Sequence, residues 1–169
     1  MRRLAQEALD SLRDVIYFTM EGGAVISLGD LLGRWRAQLK QRLEQAGVQL
    51  VWSWDESCEN LLLKARDALS LGRILYEGAS NALRHSCPRR IAIEGRCCED
   101  VFCITMVNDG VPDQPGEKRR SGPGGHGLHN IGERAREMGG RAEFSSQGGR
   151  FEVRLTFPVG AIDAREPGD

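Results

Sequence analysis

Apolar residues at Ala5, Leu9, Leu12 and Ile16 repeat at four-three-four spacing, while Leu4, Ala8, Val15 and Phe18 fill the neighbouring stripe, so residues 1 to about 20 predict a helix with a wide apolar face. EGGAVISLGD interrupts it. Helical spacing resumes in DLLGRWRAQLKQRLEQAG through Leu31, Trp35, Leu39 and Leu43, and Gly47 is placed to close that helix. VQLVWSWD then sets Val48, Leu50, Trp52 and Trp54 against Gln49, Val51, Ser53 and Asp55, the two-residue period of a strand with one buried face. A third helix is expected from near Ala68 to Arg84, and RRIAIEGR and VFCITMVN, flanking the short polar CCED, read as a hairpin.

After the hairpin comes DGVPDQPGEKRRSGPGGHG, too long for a plain turn and too polar for a core. LHNIGERAREMGG places Leu128, Ile131, Ala135 and Met138 on one helical face and ends in two glycines. RAEFSS, a QGG turn and RFEVRLTFP make a final hairpin stopped by Pro158, and GAIDAREPGD reads as a frayed tail. Strands gathered in the second half, with helices before and between them, predict an α+β fold: a two-layer α/β sandwich whose mostly antiparallel sheet is covered on one face by helices, with an N-terminal helical arm. The expected organisation is an arm and linker over residues 1–26, one domain over 27–160 and a flexible tail over 161–169.

Composition narrows the class. At 169 residues the chain suits one ordinary domain with attachments. A formal net charge of -1 argues against a surface built for a nucleic-acid backbone. No apolar run is long enough to cross a bilayer, and charge interrupts every apolar pair of MRRLAQEALDSLRD, so no membrane contact is expected from this segment. The five cysteines form no C-x-x-C pair, and Cys97, Cys98 and Cys103 fall in the expected hairpin, where a thiol packs as a small hydrophobe; a reduced, cytoplasmic protein without zinc is the simplest reading.

Three polar clusters remain. In EGASNALRHS the residues Glu77, Asn81 and His85 stand one helical turn apart in a single row, each step rising about 6 Å. An Asn carbonyl is a neutral hard ligand suited to Mg²⁺, which shares its shell between waters and phosphates, and a carboxylate one turn earlier can hold or polarise such a water. Alone, that stripe also fits a solvent-facing helix. In VNDGVP a polar pair ends an apolar strand before Gly110, where an amide or carboxylate can bond the exocyclic amine of a purine; an ordinary Asn-Asp-Gly turn fits equally. In GPGGHGLHNIGERA the glycines Gly122, Gly124, Gly125 and Gly127 run into a helix start, whose N–H groups and dipole suit phosphate oxygens. Lys118, Arg119 and Arg120 lie upstream, placed to close over phosphates or simply solvated.

Together, in this order and spacing, EGASNALRHS, VNDG, GGHGLHNIGERAREMGGRAEFSS and GGRFEVRLTFP resemble the N, G1 and G2 boxes of the catalytic ATP-binding domain of sensor histidine kinases. That domain belongs to the superfamily shared with gyrase and mismatch-repair MutL ATPases, and the GL..I.ERA...GG form is similar to the nitrate-sensor-like and desaturase-sensor-like subgroup. The resemblance covers about residues 30 to 158. RRLAQEALDSLRDVIYF is similar to the end of the second dimerisation helix that precedes this domain. The first helix of that pair, with its phosphoacceptor histidine, has no counterpart, since His85, His126 and His129 all fall inside the nucleotide motifs.

The resemblance implies ATP and Mg²⁺ as cofactors, Asn81 as the Mg²⁺ ligand and Glu77 as the catalytic carboxylate beside it. Arg84 and His85 would lie near phosphate or ribose, Asn108 at the adenine amine with Asp109 next to it in the variable place of the base-binding turn and Gly110 beneath the ring, and Gly125, His126, Gly127 and Leu128 at the phosphates. It implies as partners the phosphoacceptor helix of a parent kinase, homodimeric at full length, and a downstream response regulator. Three positions depart from the family pattern. Asn108 stands where the family carries the adenine-binding Asp, Pro112 replaces a second glycine, and Phe151 replaces a threonine near the base. An amide still accepts from an adenine amine, without charge assistance. Two other functions share these motifs: an anti-sigma-factor type serine kinase, against which the N-terminal arm and HNIGERA weigh, and a nucleotide-binding or interaction module without transfer activity.

Overall fold

A computed structural model describes residues 25–111 and 126–164. The expected arm therefore lies outside the described residues as far as residue 24, as does the glycine- and proline-rich loop from Pro112 to Gly125. The elements in chain order are β1 (Val25–Ser27), α1 (Leu28–Gln45), β2 (Gln49–Trp54), α2 (Glu56–Glu59), β3 (Leu62–Lys64) and α3 (Ala65–His85), then β4 (Arg90–Cys98), β5 (Val101–Asn108), α4 (His126–Glu137), β6 (Arg141–Gln147), β7 (Arg150–Pro158) and α5 (Val159–Ile162).

The main sheet has five strands in the order β2-β4-β5-β7-β6. Only β2 and β4 pair in parallel; the other three pairings are antiparallel, as the alternation of strands and tight turns predicts. One face carries Ile91, Ile93, Phe102, Ile104, Met106, Val153, Leu155 and Phe157, all buried beneath the helices. The opposite face carries i,i+2 ion pairs on three strands, Glu94 with Arg96, Glu143 with Arg141 and Glu152 with Arg154, so the sheet is apolar on one side and solvated on the other. Helix α1 buries Leu28, Leu31, Leu32, Trp35, Leu39 and Leu43, the stripe its spacing predicts. Truncating any of these leucines to alanine carries a cost of about 2–5 kcal/mol.

Glycines close both flanking helices as expected. Gly47 follows α1 with φ +71°, and Gly139 follows α4 with φ +75° while the Gly140 amide donates to the Ala135 carbonyl at 2.8 Å. A different constraint acts at Gly95, where an added methyl group would sit 2.0 Å from the Trp54 ring. The indole lies across the strand and permits no side chain there.

Two local expectations are corrected. The frayed tail assigned from residue 161 is docked at its start: Ile162 is buried, and the Ala164 amide donates to the Leu62 carbonyl at 2.6 Å, which extends the small β1–β3 pair. The third helix begins three residues before Ala68, because the apolar stripe of α3 starts at Ala68 while its first turn is polar.

Register fixes what matters for the site. Asn108, the last residue of β5, faces Ile91 on β4 and Phe151 on β7, so the polar end of the strand opens beside the C-terminal half of α3.

Candidate functional site

Helix α3 turns Leu71, Ile74, Leu75, Ala79 and Ala82 to the sheet. That leaves Glu77 and Asn81 on the flank packed by α4, the helix that begins at His126. The approach is close: a methyl group built on Gly127 would lie 2.5 Å from both Oδ1 and Nδ2 of Asn81 and 2.6 Å from Oε1 of Glu77. Glycine is the residue that lets this backbone meet those two side chains. Asn81 is 8 % exposed, and among the described residues neither polar atom of its amide has a hydrogen-bond partner. An unpaired buried amide costs about 1–3 kcal/mol. Folding has therefore left a hard oxygen ligand desolvated and unsatisfied beside a carboxylate, the state a bound cation or ligand donor would relieve. Among the described residues no three His, Cys, Asp or Glu side chains converge as a metal cluster, so a cation here would take most of its shell from water and ligand oxygens.

Next to Asn81 a small cavity is lined by Gly78, Ala82, Ile91, Met106, Asn108 and Phe151, with Leu128 on the α4 side. Its volume is about 10 Å³, room for roughly one water. Met106 lies over Gly78, where a methyl group would meet its Cε at 2.7 Å, and Phe151 closes the β7 side. The described structure thus holds a narrow, polar-ended, apolar-walled slot.

At the polar end, Nδ2 of Asn108 donates to Oγ of Ser86 at 3.1 Å and to the backbone carbonyl of Asp109 at 2.8 Å. Asp109 points elsewhere. Its Oδ1 accepts from the amides of Arg89 at 2.7 Å and Arg90 at 3.0 Å, and these bonds, that from Arg90 foremost, hold its carboxyl below the ordinary value of 3.8. Asp109 therefore ties the turn to the start of β4 and does not line the cavity expected to take the adenine. Gly110 adopts φ +74° with its α-carbon against the Cys87 carbonyl, and its own carbonyl accepts from the Cys87 amide at 3.0 Å. The turn and the end of α3 are clamped together there.

Arg84 and His85 are exposed at the last turn of α3. Arg84 lines a separate groove of about 1170 Å³ between α1, α3 and α4, together with Arg73, Arg134, Trp35 and Glu77. The structure thus brings Glu77, Asn81 and Gly127 together, sets Asn108 and Leu128 around the adjoining cavity, and keeps Arg84 apart from it. Gly125 lies outside the described residues, and the His126 side chain is likewise not described.

Residues 66–161 match the family described as histidine kinase-, DNA gyrase B-, and HSP90-like ATPases. The chain belongs to that family. A comparison with curated proteins finds no match. Among solved structures, the Acinetobacter baumannii histidine kinase AdeS superposes with a TM-score of 0.65 at 15% identity, covering 93% of this chain and 79% of that one. The histidine kinase domain of the Erythrobacter litoralis EL346 blue-light activated histidine kinase gives 0.67 at 16% identity, covering 93% and 77%. Full-length ShkA in complex with AMPPNP gives 0.67 at 17% identity, covering 98% of this chain and 38% of that one. At these identities the likeness is one of fold, the two-layer α+β fold expected above.

Several lining residues escape a reading of motifs. Met106 shares a strand face with Asn108 two positions later, a signal that period two supplies. Gly78, an isolated glycine inside a helix, signals a close approach by a neighbour. Ser86 caps the motif helix just past its last turn, and only the tertiary contact with Asn108 gives its side chain a role.

Proposed function

We propose that this chain is the ATP-binding catalytic domain of a sensor histidine kinase, holding Mg-ATP between α3 and the start of α4. The γ-phosphate would pass to a histidine on a dimerisation helix that another segment of the parent supplies. The observation that carries this reading is the buried, unpartnered amide of Asn81 set against Gly127 and Glu77 in a chain of this ATPase family. Asn81 Oδ1 and a water ordered by Glu77 would hold magnesium, which when bound supplies positive charge against the phosphate oxygens. The first N–H groups of α4 offer phosphate donors, and Asn108 offers an acceptor for the base. In the transfer a neutral imidazole nitrogen forms the bond to phosphorus as the bond to the β-phosphate oxygen breaks; the protein contributes position and oriented dipoles. The nitrate-sensor-like subgroup, a homodimeric parent, a response regulator and a cytoplasmic location are part of the same proposal, supported by the GLHNIGERA pattern. No helix among the described residues is long and apolar enough to cross a membrane.

A second reading rests on the cavity. A volume of about 10 Å³ is too small for a purine in the ligand-free form, and a site that stays this narrow fits a nucleotide-free interaction module. Calorimetric titration with ATP, with and without Mg²⁺, separates the two. Magnesium-dependent binding that Asn81→Ala abolishes is expected; no heat at millimolar ATP leaves the interaction module. Labelled ATP with an added phosphoacceptor helix then tests transfer, which Glu77→Gln should slow while sparing binding.

A further inference from the structure

We infer that Ser86 is a positioning residue that locks the Asn108 side chain with its oxygen toward the base, so that the site discriminates a 6-amino from a 6-oxo purine without a carboxylate. The inference rests on the nucleotide-binding reading above and adds to it the device that sets base selectivity. An amide at the position expected to read the base is ambiguous in principle, because a flip exchanges acceptor for donor and would welcome guanine as readily as adenine. Here the flip is decided by chemistry. The atom 2.8 Å from the Asp109 backbone carbonyl must be a donor, since that carbonyl can only accept, so it is Nδ2. The second Nδ2 proton goes to Ser86 Oγ at 3.1 Å. Both donors of a side chain that is only 6 % exposed are thus committed, and Oδ1 is the atom left for a ligand in the cavity that Asn108 lines.

An exocyclic amine then meets an acceptor, whereas the 6-oxygen of guanine meets another acceptor and neither partner is satisfied. Ser86 is the replaceable half of the lock, because the Asp109 contact is backbone. Removing the hydroxyl leaves one donor unpaired and lowers the cost of the flip. The change spares the helix end, since the Ser86 amide bonds the Ala82 carbonyl at 3.0 Å through main chain alone.

The test measures affinity for Mg-ATP and Mg-GTP in wild type, Ser86→Ala and Ser86→Thr. Ser86→Ala should narrow the ATP:GTP preference about fivefold, the worth of one hydrogen bond, and Ser86→Thr should restore it. An unchanged ratio in Ser86→Ala overturns the inference while leaving nucleotide binding intact; a purely structural defect would weaken both nucleotides equally and overturn it too. Wild-type protein that binds neither nucleotide sinks the function proposal itself. A ligand-free readout stands independently: by NMR the Asn108 side-chain amide protons should exchange slowly, and faster in Ser86→Ala. Exchange at the free-amide rate in wild type refutes the lock.

Discussion

The backbone of Gly127 rests on the side chain of Asn81 so closely that a methyl group there would stand 2.5 Å from both polar atoms of the amide. Two helices from distant parts of the chain meet through an unsatisfied amide and a missing side chain. Gly127→Ala should push α4 away from α3, lowering stability by about 1–3 kcal/mol, the usual cost of overpacking, and reducing nucleotide affinity. Thermal unfolding and a titration check both; unchanged values would mean that the helices are not in firm contact.

Asn81→Ala should behave in opposite ways with and without ligand. Because the amide is buried and unpaired, its removal should leave the ligand-free protein as stable as wild type or more so. The stabilisation that Mg-ATP gives wild type should vanish in the same variant. A drop of 2 °C or more in the ligand-free melting temperature would show that Asn81 has a structural partner.

Asn108→Asp, which restores the residue the family pattern carries, should destabilise the protein. A carboxylate oxygen would take the place of Nδ2, 2.8 Å from the Asp109 carbonyl, with no proton between the two acceptors. The expected loss is about 1–3 kcal/mol near pH 7. It should shrink as pH falls toward about 4, where a protonated carboxyl can donate to that carbonyl. Chemical denaturation at several pH values reads this out.

Asp109 holds the turn through two backbone bonds that are stronger to its ionised form. Its carboxyl titrates below the ordinary value of 3.8, so its contribution is present above that value and is lost as pH falls through the depressed one. Asp109→Ala should cost less than about 1 kcal/mol at pH 7, since solvent screens the exposed carboxyl, and less still at acid pH. Equal costs at both would place the stabilisation in packing and not in charge.

The cysteines should divide sharply. Burial, with a contact to Cys97 second, pushes the Cys58 thiol up to about 12, while Cys87 and Cys98 are exposed. Iodoacetamide at pH 8 should label Cys87 and Cys98 and spare Cys58 in the folded protein, as peptide mass spectrometry would show. Stability should also decline as pH rises from the ordinary 9.0 toward 12, because the fold favours the protonated thiol over that window.

Much of the fold was legible because burial is periodic. The stripe from Leu31 to Leu43, the alternation from Val48 to Trp54 and the paired runs around Asn108 each report a face turned to the core, and faces of that kind allow few arrangements. The short elements were not legible. β1, β3 and α5 carry too few residues to show a period, and they are held by partners far away in sequence, as Ala164 is held by Leu62. Within the site, spacing alone sets Glu77 and Asn81 one turn apart, but it says nothing of the neighbour that desolvates them.

What the sequence determined by itself is therefore local and repetitive: which residues form helices and strands, which faces they bury, and which polar residues stand where a core would have aliphatics. The tertiary structure alone decided that Asp109 turns to the backbone of β4, that Phe151 and Met106 narrow the slot, and that Ser86 and a carbonyl orient Asn108. These are contacts among residues brought together from separate elements. Their energies depend on distances of a few ångströms and on which donor meets which acceptor, and no one-dimensional pattern encodes either.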